Sequence, residues 1–391
     1  MNAPLPEDWR ITTVGQACSI RNDLRFPIAK EVRAGMMGEY PYYGPTGRLD
    51  RLSTYRLEGT FALIGEDGDH FMDVENKPQT LLVSGKFNVN NHAHVIASTD
   101  VCDVEWFFNY FKHRSLKSSL TRQGAGRYKL NKAALERLPI LLPPRPEQLA
   151  INRLVREWDS AIEKAERLIA AVQRRHQALR RRLLLRTGSP ERRISDLAAP
   201  LRRKNLDGNG HPLTISGQDG LISQSKFFDK RIAAEATEHY TLLKRGEFAY
   251  NRSYSAGYPF GAIKRLEGYE DGIVSSLYLC FALRPDSPVL SDYLTYYCEA
   301  GGFNRQLHQI AQEGARNHGL LNVPPGDFFN MKMPVQGLTE QRRAINLLDD
   351  SVLELAKLQK SLGAMRHQKR GLMQKLLTGQ WRLPLPESEA A

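Results

Sequence analysis

The side chains that could carry metal or nucleophilic chemistry are few and poorly spaced. Glu75-x-Lys77, preceded by Asp67 and Asp69, has the composition of a magnesium nuclease cluster. Pro78 follows it at once, however, and no strand pattern supports it. His92-x-His94 could place two imidazoles on one side of a strand, but no third ligand accompanies them, so a structural role is expected. Cys18, Cys102, Cys280 and Cys298 lie far apart with no C-x-x-C pair, which argues against a disulfide scaffold and against a cysteine-rich zinc site. No G-x-x-x-x-G-K-[ST] loop supports an ATP-driven motor. No Asn-Pro-Pro or Asp-Pro-Pro followed by an aromatic residue offers an amino-methyltransferase site, and no convincing glycine-rich loop offers a cofactor cradle. The expectation is a chain with no catalytic residues, cofactor or metal of its own.

Binding chemistry is better represented. The 391 residues carry 55 Lys and Arg against 43 Asp and Glu, a formal charge of +12, which suggests a polyanionic partner. Arginine forks onto guanine and Asn or Gln onto adenine in the major groove, so loops mixing basic, amide and aromatic residues are the candidates for reading DNA. Arg122, Gln123, Arg127 and Lys129 in the stretch Arg122-Gln123-Gly124-Ala125-Gly126-Arg127-Tyr128-Lys129 fit this, and their counterparts are Arg316, Asn317 and His318. Arg252 and Tyr254, with Tyr42 and Tyr43, complete the set. The denser run Arg174, Arg175, Arg180, Arg181, Arg182 and Arg186 reads as a solvated helix face.

Two long helices must position these loops. Arg175-His176-Gln177 and Thr187-Gly188 recur 191 residues later as Arg366-His367-Gln368 and Thr378-Gly379. Glu147-Gln148 recurs as Glu340-Gln341, and Ile151-Asn152 as Ile345-Asn346. A period of half the chain means a tandem duplication. The first matched segment has apolar residues at Trp158, Ile162, Ala165, Ile169, Val172, Leu179 and Leu183, an alternating four-three spacing broken by His176. The second has Ile345, Leu348, Val352, Leu355, Leu362, Met365, Leu372 and Leu376, broken by Gln359 and Lys369. Such narrow seams need a partner. If the two copies pack against each other, a twofold relation makes them antiparallel, a ruler roughly 60 Å long at about 1.5 Å per residue. The polar seam residues would then set register.

The remaining segments alternate short β-rich runs with Gly-, Pro- and Asn-rich turns, and short helices are expected over Val104–Leu120 and Ser291–Ala311. The fold class is therefore α+β. Two mixed domains, 1–146 and 189–338, are separated by spacer helices 147–188 and 339–380 packed as an antiparallel coiled coil with a pseudo-twofold repeat, and a tail covers 381–391. With 41% hydrophobic residues, no apolar run near the roughly 18 that cross a bilayer and no charged-then-apolar start, a cytoplasmic protein is expected.

A half ending in Gly124-Ala125-Gly126-Arg127, then Leu138-Pro139-Ile140, Pro143-Pro144 and Glu147-Gln148, then a long helix ending Thr187-Gly188, all repeated, resembles the specificity subunit of a type I restriction-modification system. The likeness covers essentially the whole chain. The second copy departs from it, reading Met333-Pro334-Val335 and Thr339-Glu340-Gln341 where the first has its proline-rich run. The resemblance implies two target recognition domains, each reading half of a split, asymmetric site in double-stranded DNA, and helices that dock two methyltransferase subunits. It also implies adenine N6-methylation by those partners, with S-adenosylmethionine, ATP and magnesium confined to partner subunits, and cleavage only when restriction subunits join. The competing readings are a stand-alone DNA-modifying enzyme and a coiled-coil scaffold.

Overall fold

The computed structural model describes residues 5–123, 127–185, 188–217, 219–227, 237–254, 257–313 and 321–384. The chain forms two compact units, residues 1–165 with 361–391, and residues 166–360.

In the first unit, alternating runs build a six-stranded sheet in the order Ser19–Ile20, Ala93–Ala97, Leu57–Gly65, Thr80–Val89, Met37–Gly44 and Gly47–Leu52. Its neighbours are antiparallel except where Tyr42 pairs with Asn88 in parallel. The helix Val104–Phe111 starts at Asp103, whose carboxylate caps the Glu105 amide at 2.9 Å. This helix buries Trp106, Phe107 and Phe111 against Ile64, Phe71 and Ile96, each large side chain contributing about 1.5–3 kcal/mol. Strand Arg10–Thr13 pairs antiparallel with Pro139–Leu142, immediately ahead of the long helix Arg145–Leu184.

The second unit repeats the plan around a smaller main sheet. Its four-stranded sheet runs Ala198–Pro200, Leu279–Leu283, Phe248–Asn251 and Ala262–Arg265. Phe248, Tyr250, Phe281 and Phe328 fill the core. Strand Glu191–Arg193 pairs with Lys332–Pro334 ahead of the second long helix, Leu338–Leu376. The expected helix over Ser291–Ala311 is broken into Ser291–Glu299 and Asn304–Ile310 at Gly301, whose φ of 73° is left-handed. The expected helix over Val104–Leu120 likewise stops at Phe111, and a 3-10 turn covers Lys117–Ser119.

One buried glutamine in each unit ties the long helix to its head. Gln148 is fully buried: its Nε2 donates to Val101 O and Pro143 O, and its Oε1 accepts from the Asp103 amide, all at 2.9 Å. Gln341, also fully buried, makes the same three bonds at 2.8 Å, to Pro288 O, Gln336 O and the Leu290 amide. The repeated Glu-Gln pair thus marks one structural device, although only Glu147 is buried. It accepts from Trp9 Nε1 at 3.0 Å and is bound by Arg382, which also pairs with Asp8. Glu340 is exposed.

Within each unit the long-helix segments run antiparallel. In the first, Asp159 meets Lys369 at 2.5 Å while Glu147 meets Arg382. In the second, His176 meets Ser351 at 3.1 Å and Arg175 meets Glu354, with Leu184 packed in one cluster with Ala344 and Leu348. The inward-facing positions of the first helix include 151, 155, 158, 162, 165, 169, 172, 176, 179 and 183. Adding 193 to each gives inward-facing positions of the second, so the two helices share one heptad frame. Trp158, Ile162, Ile169, Leu179, Leu183, Ile345, Leu348, Leu355, Leu362 and Met365 all lie on buried or half-buried faces.

Several readings of the second seam need correction. Val352 is 45% exposed, and buried Ser351 takes the seam position. Gln359 is exposed beside half-buried Leu358, and Lys369 belongs to the seam rather than interrupting it. His176 and Lys369 are the equivalent polar positions. The Arg-His-Gln echo is out of frame, since His176 is buried and His367 exposed. The Ile-Asn echo is out of frame too, because Asn152 is buried where Asn346 is exposed. Among the described residues no helix is long and apolar enough to cross a membrane.

Candidate nucleic-acid interface

Each head carries a short antiparallel hairpin at the same point of the plan. In the first, Thr121–Gln123 pairs with Arg127–Lys129, so Gln123 sits opposite Arg127 and Arg122 opposite Tyr128. In the second, Gln312–Glu313 pairs with Leu321–Asn322. Arg316, Asn317 and His318 lie outside the described residues. Arg122 is exposed; Lys129 is half-buried and its Nζ lies 3.1 Å from Glu66 Oε1.

The returning arm of each hairpin is anchored by one main-chain bond to the residue just after an equivalent strand of the sheet. Leu130 N donates to Glu66 O at 2.7 Å, and Leu321 N donates to Arg252 O at 2.9 Å. In the first head Glu66 also binds Arg25 Nη1 at 2.7 Å. Burial works against the charge on Glu66, but the hydrogen bonds from Arg25 and Lys129 outweigh it and hold the carboxyl below its ordinary range. His94 is fully buried between Asn22 Nδ2 at 2.9 Å and Leu130 O at 2.7 Å. Burial lowers its pKa, so the ring is a neutral strut. His92 turns outward to Asp67 at 2.8 Å, so the two histidines do not converge on a common point.

Two sequence candidates are structural. Tyr42 is fully buried; its hydroxyl donates to Phe26 O and accepts from the Ile28 amide, leaving no atom for a ligand. Arg252 spends its guanidinium on Leu277 O at 2.8 and 3.0 Å and on Val323 O at 3.4 Å. Tyr43 is half-buried against Phe87, whereas Tyr254 is 65% exposed. Sequence reasoning missed Arg25 and Glu66, which are separated from Lys129 by long stretches of chain and share no spacing signal with it.

Each unit also has a groove where a long helix meets the tip of a head helix. The first, about 520 Å³, combines Arg114, Arg366 and Arg370 with Tyr110, Met373 and Leu377. The second, about 260 Å³, is lined by Gln177, Arg180 and Arg181 and by Cys298, Glu299 and Gly301. Arg370, Met373 and Gln374 stand 193 residues after Gln177, Arg180 and Arg181, so the grooves are equivalent parts of the repeat.

Residues 6–174 match the family model described as the type I restriction modification DNA specificity domain. This part of the chain is similar to type I specificity domains. It is 32% identical over 148 residues to a putative type I restriction enzyme specificity subunit, S.HindORF215P, of Haemophilus influenzae, a match spanning 38% of this chain and only about a third (36%) of that relative. The fold of the whole chain is that of solved specificity subunits. The type I restriction-modification S subunit from M. genitalium superposes with a TM-score of 0.55 at 13% identity, over 96% of this chain and 97% of that one. The HsdS subunit from Thermoanaerobacter tengcongensis gives 0.53 at 16% identity, over 97% and 99%. The stretch similar to that domain comprises the first head and most of the first long helix, and the second unit repeats its architecture.

Proposed function

We propose that this chain is the DNA-recognition subunit of a type I restriction-modification complex. Each head reads one half of a bipartite, asymmetric duplex site, and partner subunits perform adenine N6-methylation and, where present, cleavage. The observation that carries this reading is the duplication itself: one specificity-domain plan built twice, each head with the same anchored hairpin and the same buried glutamine fixing it to a long helix. Phosphate contacts from exposed basic residues would supply salt-dependent affinity, and Arg122, Gln123, Arg127, Arg316, Asn317, His318 and Tyr254 are the proposed groove-facing set. The two equivalent grooves offer two places for copies of one partner, in keeping with two methyltransferase subunits. In this reading S-adenosylmethionine, ATP and magnesium act only in partner subunits. Footprinting of the chain in complex with its methyltransferase tests the proposal. Protection of two separated half-sites is expected, and a single continuous half-site would refute the two-headed reading.

A further inference from the structure

The hairpin bases of the two heads are built alike in the main chain and oppositely in side-chain charge. The residue just after the equivalent strand, Glu66 or Arg252, gives its carbonyl to a leucine of the hairpin's returning arm: Leu130, immediately after Arg127–Lys129, or Leu321, the first residue of Leu321–Asn322. Its side chain then ties the hairpin to the segment entering the neighbouring strand. In the second head Arg252 does this directly, donating to Leu277 O, two residues before Leu279–Leu283, and to Val323 O, two residues after Leu321. In the first head the corresponding position is acidic and works through a borrowed guanidinium. Glu66 holds Arg25, whose Nη1 donates to Asn91 O at 2.8 Å, two residues before Ala93–Ala97, and Glu66 also holds Lys129 on the hairpin. A guanidinium thus reaches the same place in both heads from different points in the sequence, as expected if the pose of the hairpin is constrained and the residue supplying it is not.

We propose that Glu66 and Arg252 are positioning residues, each setting the pose of one recognition hairpin and thereby the discrimination of one half-site. The inference rests on the recognition role proposed above and adds to it two residues that touch no DNA themselves. A hairpin of two or three pairs has little intrinsic stability and takes its orientation from its base. Small losses of position weaken bidentate base contacts far more than diffuse phosphate contacts.

The test uses the full chain assembled with its methyltransferase subunits, and duplexes carrying the intact bipartite site or the site with one half scrambled. The readout is the dissociation constant for the scrambled duplex divided by that for the intact duplex, measured for each half separately. Glu66→Ala is expected to lower that ratio at least tenfold for one half-site and leave the other within about twofold, and Arg252→Met should do the reverse. Glu66→Gln, which keeps an acceptor for Arg25, and Arg252→Lys, which keeps the charge, should recover part of the loss. The amides of Leu130 and Leu321 should exchange faster only in the variant of their own head. Equal weakening of both half-sites, or unchanged ratios in the soluble Glu66→Gln and Arg252→Lys proteins together with unchanged ratios in Glu66→Ala and Arg252→Met, would overturn the inference. A wild-type complex with no preference for any duplex would instead overturn the recognition reading on which it rests.

Discussion

Replacing Gln148 by leucine keeps most of its volume and removes three hydrogen bonds from a fully buried position. At about 1 kcal/mol net for each neutral bond, the loss is about 3 kcal/mol, and the buried Asp103 amide left without its acceptor adds to that. Because Gln341 makes the same three bonds, Gln341→Leu should cost a similar amount in the second unit. Every 1.4 kcal/mol is tenfold, so amide hydrogen exchange through opening of the affected unit should accelerate roughly a hundredfold. The helix Val104–Phe111 would report for Gln148 and Ser291–Glu299 for Gln341. Exchange rates measured for each segment in both variants decide the matter. A cost below about 1 kcal/mol in either variant, or a single substitution loosening both segments equally, would refute the claim that these glutamines independently fix each head to its helix.

The corrected seam predicts that Leu348→Ala, at a fully buried site, costs about 2–5 kcal/mol in chemical denaturation, whereas Val352→Ala stays within about 0.5 kcal/mol. Arg382→Ala strips a partner from the buried Glu147 carboxylate; because Arg382 is itself 41% exposed, the cost should be about 1–3 kcal/mol, and Glu147→Gln in the same background should restore part of it in a thermal melt. Burial lowers the pKa of His70 and His94 below the ordinary 6.5, so the unfolded first unit binds protons that the folded one refuses. Its stability should therefore fall as pH drops from 7.5 through 6.5 toward 5.5, and His94→Gln, which still donates to Leu130 O, should flatten the curve.

The elements that repeat over many residues were the ones legible in the sequence. Two forty-residue stretches with seven-residue periodicity can only be long paired helices, and the duplicated Glu-Gln marked a real structural equivalence. Where local pattern competed with packing, the sequence misled. Val352 is the more apolar of two adjacent residues, yet the heptad frame puts Ser351 inward, opposite His176. The matched tripeptide Arg-His-Gln lies out of frame because chemical identity outlasted structural equivalence. Among the candidate site residues, exposed Arg122 and Tyr254 remain available, while Tyr42 and Arg252 do internal work that residue type cannot announce. The Arg25, Glu66 and Lys129 network joins three distant segments, and only the fold brings them together.

The most direct test of the account is the pattern of N6-methyladenine across the genome of the host with and without this gene. The account predicts that deletion abolishes methylation at one split, asymmetric motif and leaves every other motif unchanged. An identical pattern in both strains, with the partner methyltransferase expressed and active, would contradict it.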